Sequence, residues 1–240
     1  MTARGGSRAG LMVMALGMAG AVPALAAPCG TFASPTSCSI TVNGTTTFTA
    51  SNFTLAASAS QGGGNAYVAA DIGIAILDTG GGAASLVFTK DTGGPTPNTV
   101  FFVNAGQTSS FSFTYDLALT ATQPGTVAFG PAFHVAMTAS NAQNGLATLQ
   151  GIVANPPSAS CLAFSSAPSN SCTLPSSVVD SLSVGNILSL AGNSGNASVL
   201  NFTHTFASTF EATSPVPTVP EPASLALIGM GLALVAKRRR

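Results

Sequence analysis

Ser110-Phe111-Ser112-Phe113-Thr114-Tyr115-Asp116-Leu117-Ala118-Leu119 alternates small or polar residues with large apolar ones along its whole length. A strand turns successive side chains to opposite faces, so Phe111, Phe113, Tyr115, Leu117 and Leu119 share one face and need a partner layer to cover it. The same period of two recurs to either side. Val68, Ala70, Ile72, Ile74 and Ile76 follow it, as do Phe133, Val135 and Met137, and then Leu200, Phe202 and Phe206. Shorter candidate strands occupy residues 39–42, 46–55, 85–90, 99–103, 125–129, 146–153 and 178–190. Asn43-Gly44 between the first two is a hairpin turn signal, because both residues tolerate the positive φ of a type I′ turn. Gly, Asn, Ser and Pro punctuate the rest at intervals near ten residues. Many short strands with one apolar face predict a single all-β sandwich over residues 27–211, with a β-barrel as the alternative.

Composition narrows the function classes. Of 240 residues 46% are apolar and only 6% charged, against about 25% in an ordinary soluble domain. Six of the seven basic residues stand at the extreme ends, as Arg4, Arg8, Lys237, Arg238, Arg239 and Arg240. Between Ala27 and Val219 the acids Asp71, Asp78, Asp91, Asp116, Asp180 and Glu211 face the single base Lys90, a formal net charge of −5. One lysine cannot build a phosphate-binding face, which excludes nucleic acid as a partner.

The ends read as addresses. Arg4 and Arg8, an apolar run over residues 11–22 and Ala24-Leu25-Ala26 form a three-part secretory signal, with Ala24 and Ala26 at −3 and −1 of a cut that leaves Ala27 first. The run spans about 18 Å as helix, too short for a hydrocarbon core of about 30 Å. At the other end, a Pro/Thr linker at 212–218 leads into Val219-Pro220-Glu221-Pro222, an apolar segment at 225–236 and the basic tail Lys237-Arg238-Arg239-Arg240. A basic tail after an apolar helix holds the chain end in the cytoplasm, so everything before it faces outward. Gly229 and Gly231 weaken that helix, which suits transient contact with the inner membrane better than a lasting anchor.

Pro-Glu-Pro, a short apolar segment and a terminal Arg cluster, in that order, resemble the PEP-CTERM sorting signal of exported bacterial proteins. The resemblance covers residues 219–240. It implies that an exosortase-type membrane protease recognises Val219, Pro220, Glu221 and Pro222 and cleaves near them. It further implies a Gram-negative host, a destination at the cell surface or extracellular matrix, and an association with exopolysaccharide and biofilm.

Four cysteines in the exported part, Cys29, Cys38, Cys161 and Cys172, read as disulfides in an oxidising compartment. Local closure favours Cys29 with Cys38 and Cys161 with Cys172, each around a short Ser/Pro loop; a link from Cys29 to the later loop is the alternative. Gaps of 9 and 11 do not suit a metal held by four thiolates.

Catalytic chemistry has few footholds. Asp78-Thr79-Gly80 and Asp91-Thr92-Gly93 carry the tripeptide of aspartic proteases, whose two carboxylates share a proton. The copies stand only 13 residues apart, and a further Gly follows each at once, so each reads as a turn with Asp first, leaving an aspartic-type protease using Asp78 as a remote alternative. Asp71, Asp78 and Asp91 lack the crowding of a calcium loop, and the Gly62-Gly63-Gly64 and Gly80-Gly81-Gly82 runs lack the Lys of a phosphate loop. His204 falls on an apolar face as a hydrogen-bonded core residue, while His134 falls outward. Gly192-Asn193-Ser194-Gly195 lacks the spacing of a serine nucleophile elbow. A glycan-binding module or adhesin is the rival class, although no Trp and only Tyr67 and Tyr115 are present to stack on sugars. The expectation is a non-enzymatic surface or matrix protein without cofactor or metal. Its Ser/Thr/Asn face would pack among polysaccharides or against copies of itself.

Overall fold

The computed structural model describes residues 26–91, 93, 100–139, 145–154, 158–174 and 180–213. The two terminal helices expected from the sequence, with most of the linker, fall outside these residues. The described part is nearly all strand. In chain order the strands are β1 (Ala26–Thr31), β2 (Ser34–Pro35), β3 (Cys38–Val42), β4 (Thr46–Gln61), β5 (Ile72–Gly80), β6 (Ala83–Lys90) and β7 (Phe101–Val103). They continue as β8 (Thr108–Ala121), β9 (Gly125–Ala139), β10 (Leu146–Val153), β11 (Ala159–Phe164), β12 (Ser169–Thr173), β13 (Ser181–Ala191) and β14 (Ala197–Ala212). A single 3₁₀ turn, Ala69–Asp71, precedes β5.

Two antiparallel sheets result, and neither closes into a barrel. The larger runs β12-β9-β14-β6-β5-β1-β2, with β7 pairing the start of β14; the smaller runs β11-β10-β13-β8-β4-β3. Strand β8 sits inside the smaller sheet, flanked by β13 and β4. All five apolar residues of its alternation are buried, and they share one core with Ile74, Leu86, Phe88, Phe202 and Phe206 of the larger sheet. The rings meet across the layers: Phe88 lies 4.8 Å from Phe113 and 4.9 Å from Phe202, ring centre to ring centre. Removing one such ring, as in Phe113→Ala, costs about 3–5 kcal/mol because the rigid surroundings cannot collapse onto the void.

The disulfides close the two open sides. Cys29 on β1 joins Cys38 on β3, and Cys161 on β11 joins Cys172 on β12, with Cα separations of 5.1 and 5.5 Å. Each links the larger sheet to the smaller one at an edge. The stretches between the cysteines, read from sequence as loops, hold β2 and most of β11 and β12. β2 and β12 turn Ser, Asn and Pro outward, and β11 turns out Leu162 and Phe164 while only Cys161 and Ala163 face inward, so no inward row of large apolar residues marked them as strands. Phe32, between β1 and β2, fills the first of these sides, 5.0 Å from Phe113.

The other departures from the sequence reading have local causes. Val68 and Ala70 do not extend the β5 alternation, since the 3₁₀ turn rotates the chain and leaves Val68 exposed. Leu200 is also exposed, because a bulge between Val199 and Asn201 shifts the phase of β14 while Val199 takes the inward position. Residues 125–129 and 133–137 form one strand through Gly130-Pro131. The β9–β14 ladder skips there, between Phe206 and Ser208, so the missing N–H of Pro131 breaks no pairing. The Asn43-Gly44 hairpin forms with positive φ at both residues, 51° and 67°.

Candidate functional surface

The outer face of the smaller sheet carries hydroxyls in register. Ser39 and Thr49 hydrogen-bond at 2.9 Å across β3 and β4, and Thr41 with Thr47 at 2.8 Å. Cross-strand pairs of this kind add a little stability and fix side-chain positions. Asp116 is the only charged residue on the six strands of this sheet. Its carboxylate accepts hydrogen bonds from Asn52 Nδ2 at 2.7 Å and from Ser183 Oγ. Asn52 reaches it from a bulge in β4, where the register slips between Ser51 and Thr54 and Asn52 takes φ 54°. Asn tolerates that left-handed conformation better than most residues, which is why the bulge can aim an amide here.

Two shallow depressions flank this cluster, each of about 260 Å³. One holds Asp116 with Ala118, Ser181 and Ser183. The other is floored by Ala56, Ile152, Ala154 and Ile187 and rimmed by Ser112 and Thr114. Toward the β11 edge the face becomes apolar, with Leu162, Phe164 and Ile187 at 38%, 37% and 38% exposure. Pairing sets Leu162 beside Gln150, and Gln150 beside Ile187, across three neighbouring strands.

The two Asp-Thr-Gly tripeptides stand apart. Asp78 accepts the Gly80 N–H at 2.8 Å, and Asp91 accepts the Gly93 N–H at 2.8 Å, so each caps its own turn. Asp78 pairs opposite Ala84, and Asp91 follows the far end of the same strand; at about 3.3 Å per residue the two lie about 23 Å apart. They cannot share a proton. Among the described residues no group of three or more His, Cys, Asp or Glu could hold a metal.

Several polar side chains sit within the core. His204 Nδ1 and the Tyr115 hydroxyl are 3.0 Å apart, both fully buried, and His204 Nε2 has no partner. Burial lowers the His204 pKa from 6.5 to about 3 and raises that of Tyr115 well above its ordinary value. Asn186 turns inward with its amide unpartnered. Lys90 Nζ contacts Asp71 Oδ1 at 2.9 Å with both side chains fully buried, an ion pair the sequence reading did not single out. A signal existed: Lys90 has the same strand parity as Leu86 and Phe88, which puts it inward.

Of the processing residues, Ala26 and Ala27 open β1 opposite Leu77 and Ile76. Ala24, the motif Val219, Pro220, Glu221 and Pro222, and the tail Lys237 to Arg240 lie outside the described residues. The identity of the C-terminal motif comes from comparison. Residues 218–240 match the PEP-CTERM protein-sorting motif. A comparison with the curated proteins yields no match. The motif marks an exported chain that is sorted through the membrane to the cell surface and processed by exosortase, a membrane protein.

Proposed function

We propose that the exported part is a non-enzymatic β-sandwich that works at the cell surface or in the extracellular matrix, as a packing or binding partner of exopolysaccharide. Exosortase cleavage near Pro220-Glu221-Pro222 would free it from transient contact with the inner membrane of a Gram-negative host. The observation that carries the reading is the outer face of the smaller sheet. Its hydroxyls and amides are held in register, and its one carboxylate, Asp116, is fixed by Asn52 and Ser183. Sugars offer hydroxyls that pair with such a surface, and the low charge lets polymer and protein approach without repulsion. The apolar strip of Leu162, Phe164 and Ile187 supports a second reading, in which copies of the chain associate through this face.

Binding of the mature protein to the host's own exopolysaccharide tests the first reading, with Asp116→Ala and Asn52→Ala each weakening it about tenfold. Equal retention of wild type and both variants would remove the site, and no retention of wild type would remove the function. Sedimentation with Leu162→Ser and Phe164→Ser tests the second. An acid-dependent peptide cleavage abolished by Asp78→Asn would overturn the non-enzymatic reading altogether.

A further inference from the structure

We infer that Asp71 and Lys90 become joined covalently, by an amide bond between the Asp71 side-chain carboxyl and the Lys90 side-chain nitrogen. The reacting groups are already in contact. Lys90 Nζ stands 2.9 Å from Asp71 Oδ1, and neither side chain is exposed. The backbone holds them there, because Lys90 pairs with Ile72, the residue after Asp71, and the Asp91 N–H donates to the Asp71 carbonyl at 2.7 Å. Fixed proximity of this kind replaces a bimolecular encounter and removes much of its entropic cost.

Two further contacts match what the condensation requires. The Val68 N–H donates to Asp71 Oδ2 at 2.9 Å, where it polarises the carboxyl and faces the oxygen on which charge would gather. The Asp91 carbonyl accepts a hydrogen bond from Lys90 Nζ at 2.7 Å and orients the amine. A proton passes from Nζ to Oδ1 across their contact, leaving a neutral amine and a carboxylic acid. The nitrogen lone pair adds to the carboxyl carbon of Asp71, and the electron pair moves onto Oδ2. As the carbonyl re-forms, Oδ1 leaves with its own proton and one from the nitrogen, as water. One C–N bond forms, one C–O bond breaks, nothing is oxidised or reduced, and no co-reactant is needed. In water an acid and an amine ionise and stay apart; in a dry site the charged pair is costly and the amide is not.

The bond would close the β5–β6 hairpin at the end opposite its Gly80-Gly81-Gly82 turn, adding a tie within the larger sheet to the two disulfides between the sheets. Lys90 is also the only lysine or arginine between Arg8 and Lys237, so it is the one tryptic site of the exported part. The test is a tryptic digest of the protein recovered from its host, fully reduced and denatured. Acylated Lys90 leaves residues 27–218 in one piece, and a chymotryptic digest yields a branched peptide about 18 Da lighter than its two arms, one water lost. The Lys90→Arg variant is cut at position 90 and shows no loss. Quantitative cleavage of wild type after Lys90 overturns the bond. Resistance without the mass loss does the same, as does a loss that persists in Lys90→Arg.

Discussion

Asp71 with Lys90 and Tyr115 with His204 both put two polar side chains where water does not reach, yet the two pairs are built on different terms. The first lies at the end of a hairpin and both charges are answered: the carboxylate by Lys90 and the Val68 N–H among others, the ammonium by Asp71 and the Asp91 carbonyl. The second lies in the middle of the aromatic cluster, with His204 5.4 Å from Phe88 and stacked over Tyr115, and it leaves Nε2 without a partner. A charge cannot be left unanswered in such a medium, whereas a neutral imidazole can forgo one hydrogen bond at modest cost. The first pair is secured by bonding, ionic until the inferred amide replaces both charges, and the second by staying uncharged.

The sharpest way to break this contrast is to remove one partner of the ionic pair. Lys90→Met takes from Asp71 both its buried cation and the inferred amide, and should lower unfolding free energy by about 3–5 kcal/mol, read as a urea midpoint near neutral pH. Replacing both, Asp71→Leu with Lys90→Met, should restore at least half of that, because no buried charge is left. A single variant as stable as wild type would show that the pair anchors nothing.

The neutral pair is attacked by acid instead. Unfolded His204 binds a proton below its ordinary pKa of 6.5, while the folded site refuses it until about 3. Stability from this group is therefore complete above about pH 7 and declines by about 1.4 kcal/mol per pH unit between roughly pH 6 and 3. His204→Gln should flatten that decline relative to wild type when both are unfolded across the range. Parallel slopes would mean that His204 is already protonated in the folded protein.

How much of this contrast the sequence disclosed depends on phase. Phe111 to Leu119 kept one unbroken period, so β8, its inward face and the buried hydroxyl of Tyr115 could be read directly, and His204 followed from its place between Phe202 and Phe206. Asp71 could not be read, because it lies out of phase with Ile72, Ile74 and Ile76 and reaches the interior only through the Ala69–Asp71 turn. Lys90 could have been, from its parity. Asn52 was hidden for a third reason: it contacts Asp116 across a bulge, and no periodic pattern foretells an inserted residue. The cysteine pairs were legible as pairs, but that each crosses from one sheet to the other depends on β2, β11 and β12, which place no large apolar side chains inward and so carried no signal.

A smaller probe separates the hydrogen bond from the burial. Tyr115→Phe keeps the ring stacking around His204 and removes only the hydroxyl, so it should cost about 1–2 kcal/mol, the usual charge for stranding a buried group. It should also leave the acid slope intact, since burial and not the hydroxyl depresses the histidine.

The smallest effect completes the comparison with a carboxylate that is neither buried nor paired. Asp78, half-buried, caps its turn through Oδ1 on the Gly80 N–H at the glycine end of the same hairpin that Asp71 secures at the other. Asn supplies the same acceptor, so Asp78→Asn should change stability by less than about 0.5 kcal/mol, whereas Asp71→Asn, seven residues earlier, removes the charge that answers Lys90 and should cost several times more. Two aspartates on one hairpin then differ only in their surroundings. Equal penalties at the two positions would mean that burial does not govern what a carboxylate contributes here, and the contrast between the two core pairs would lose its physical basis.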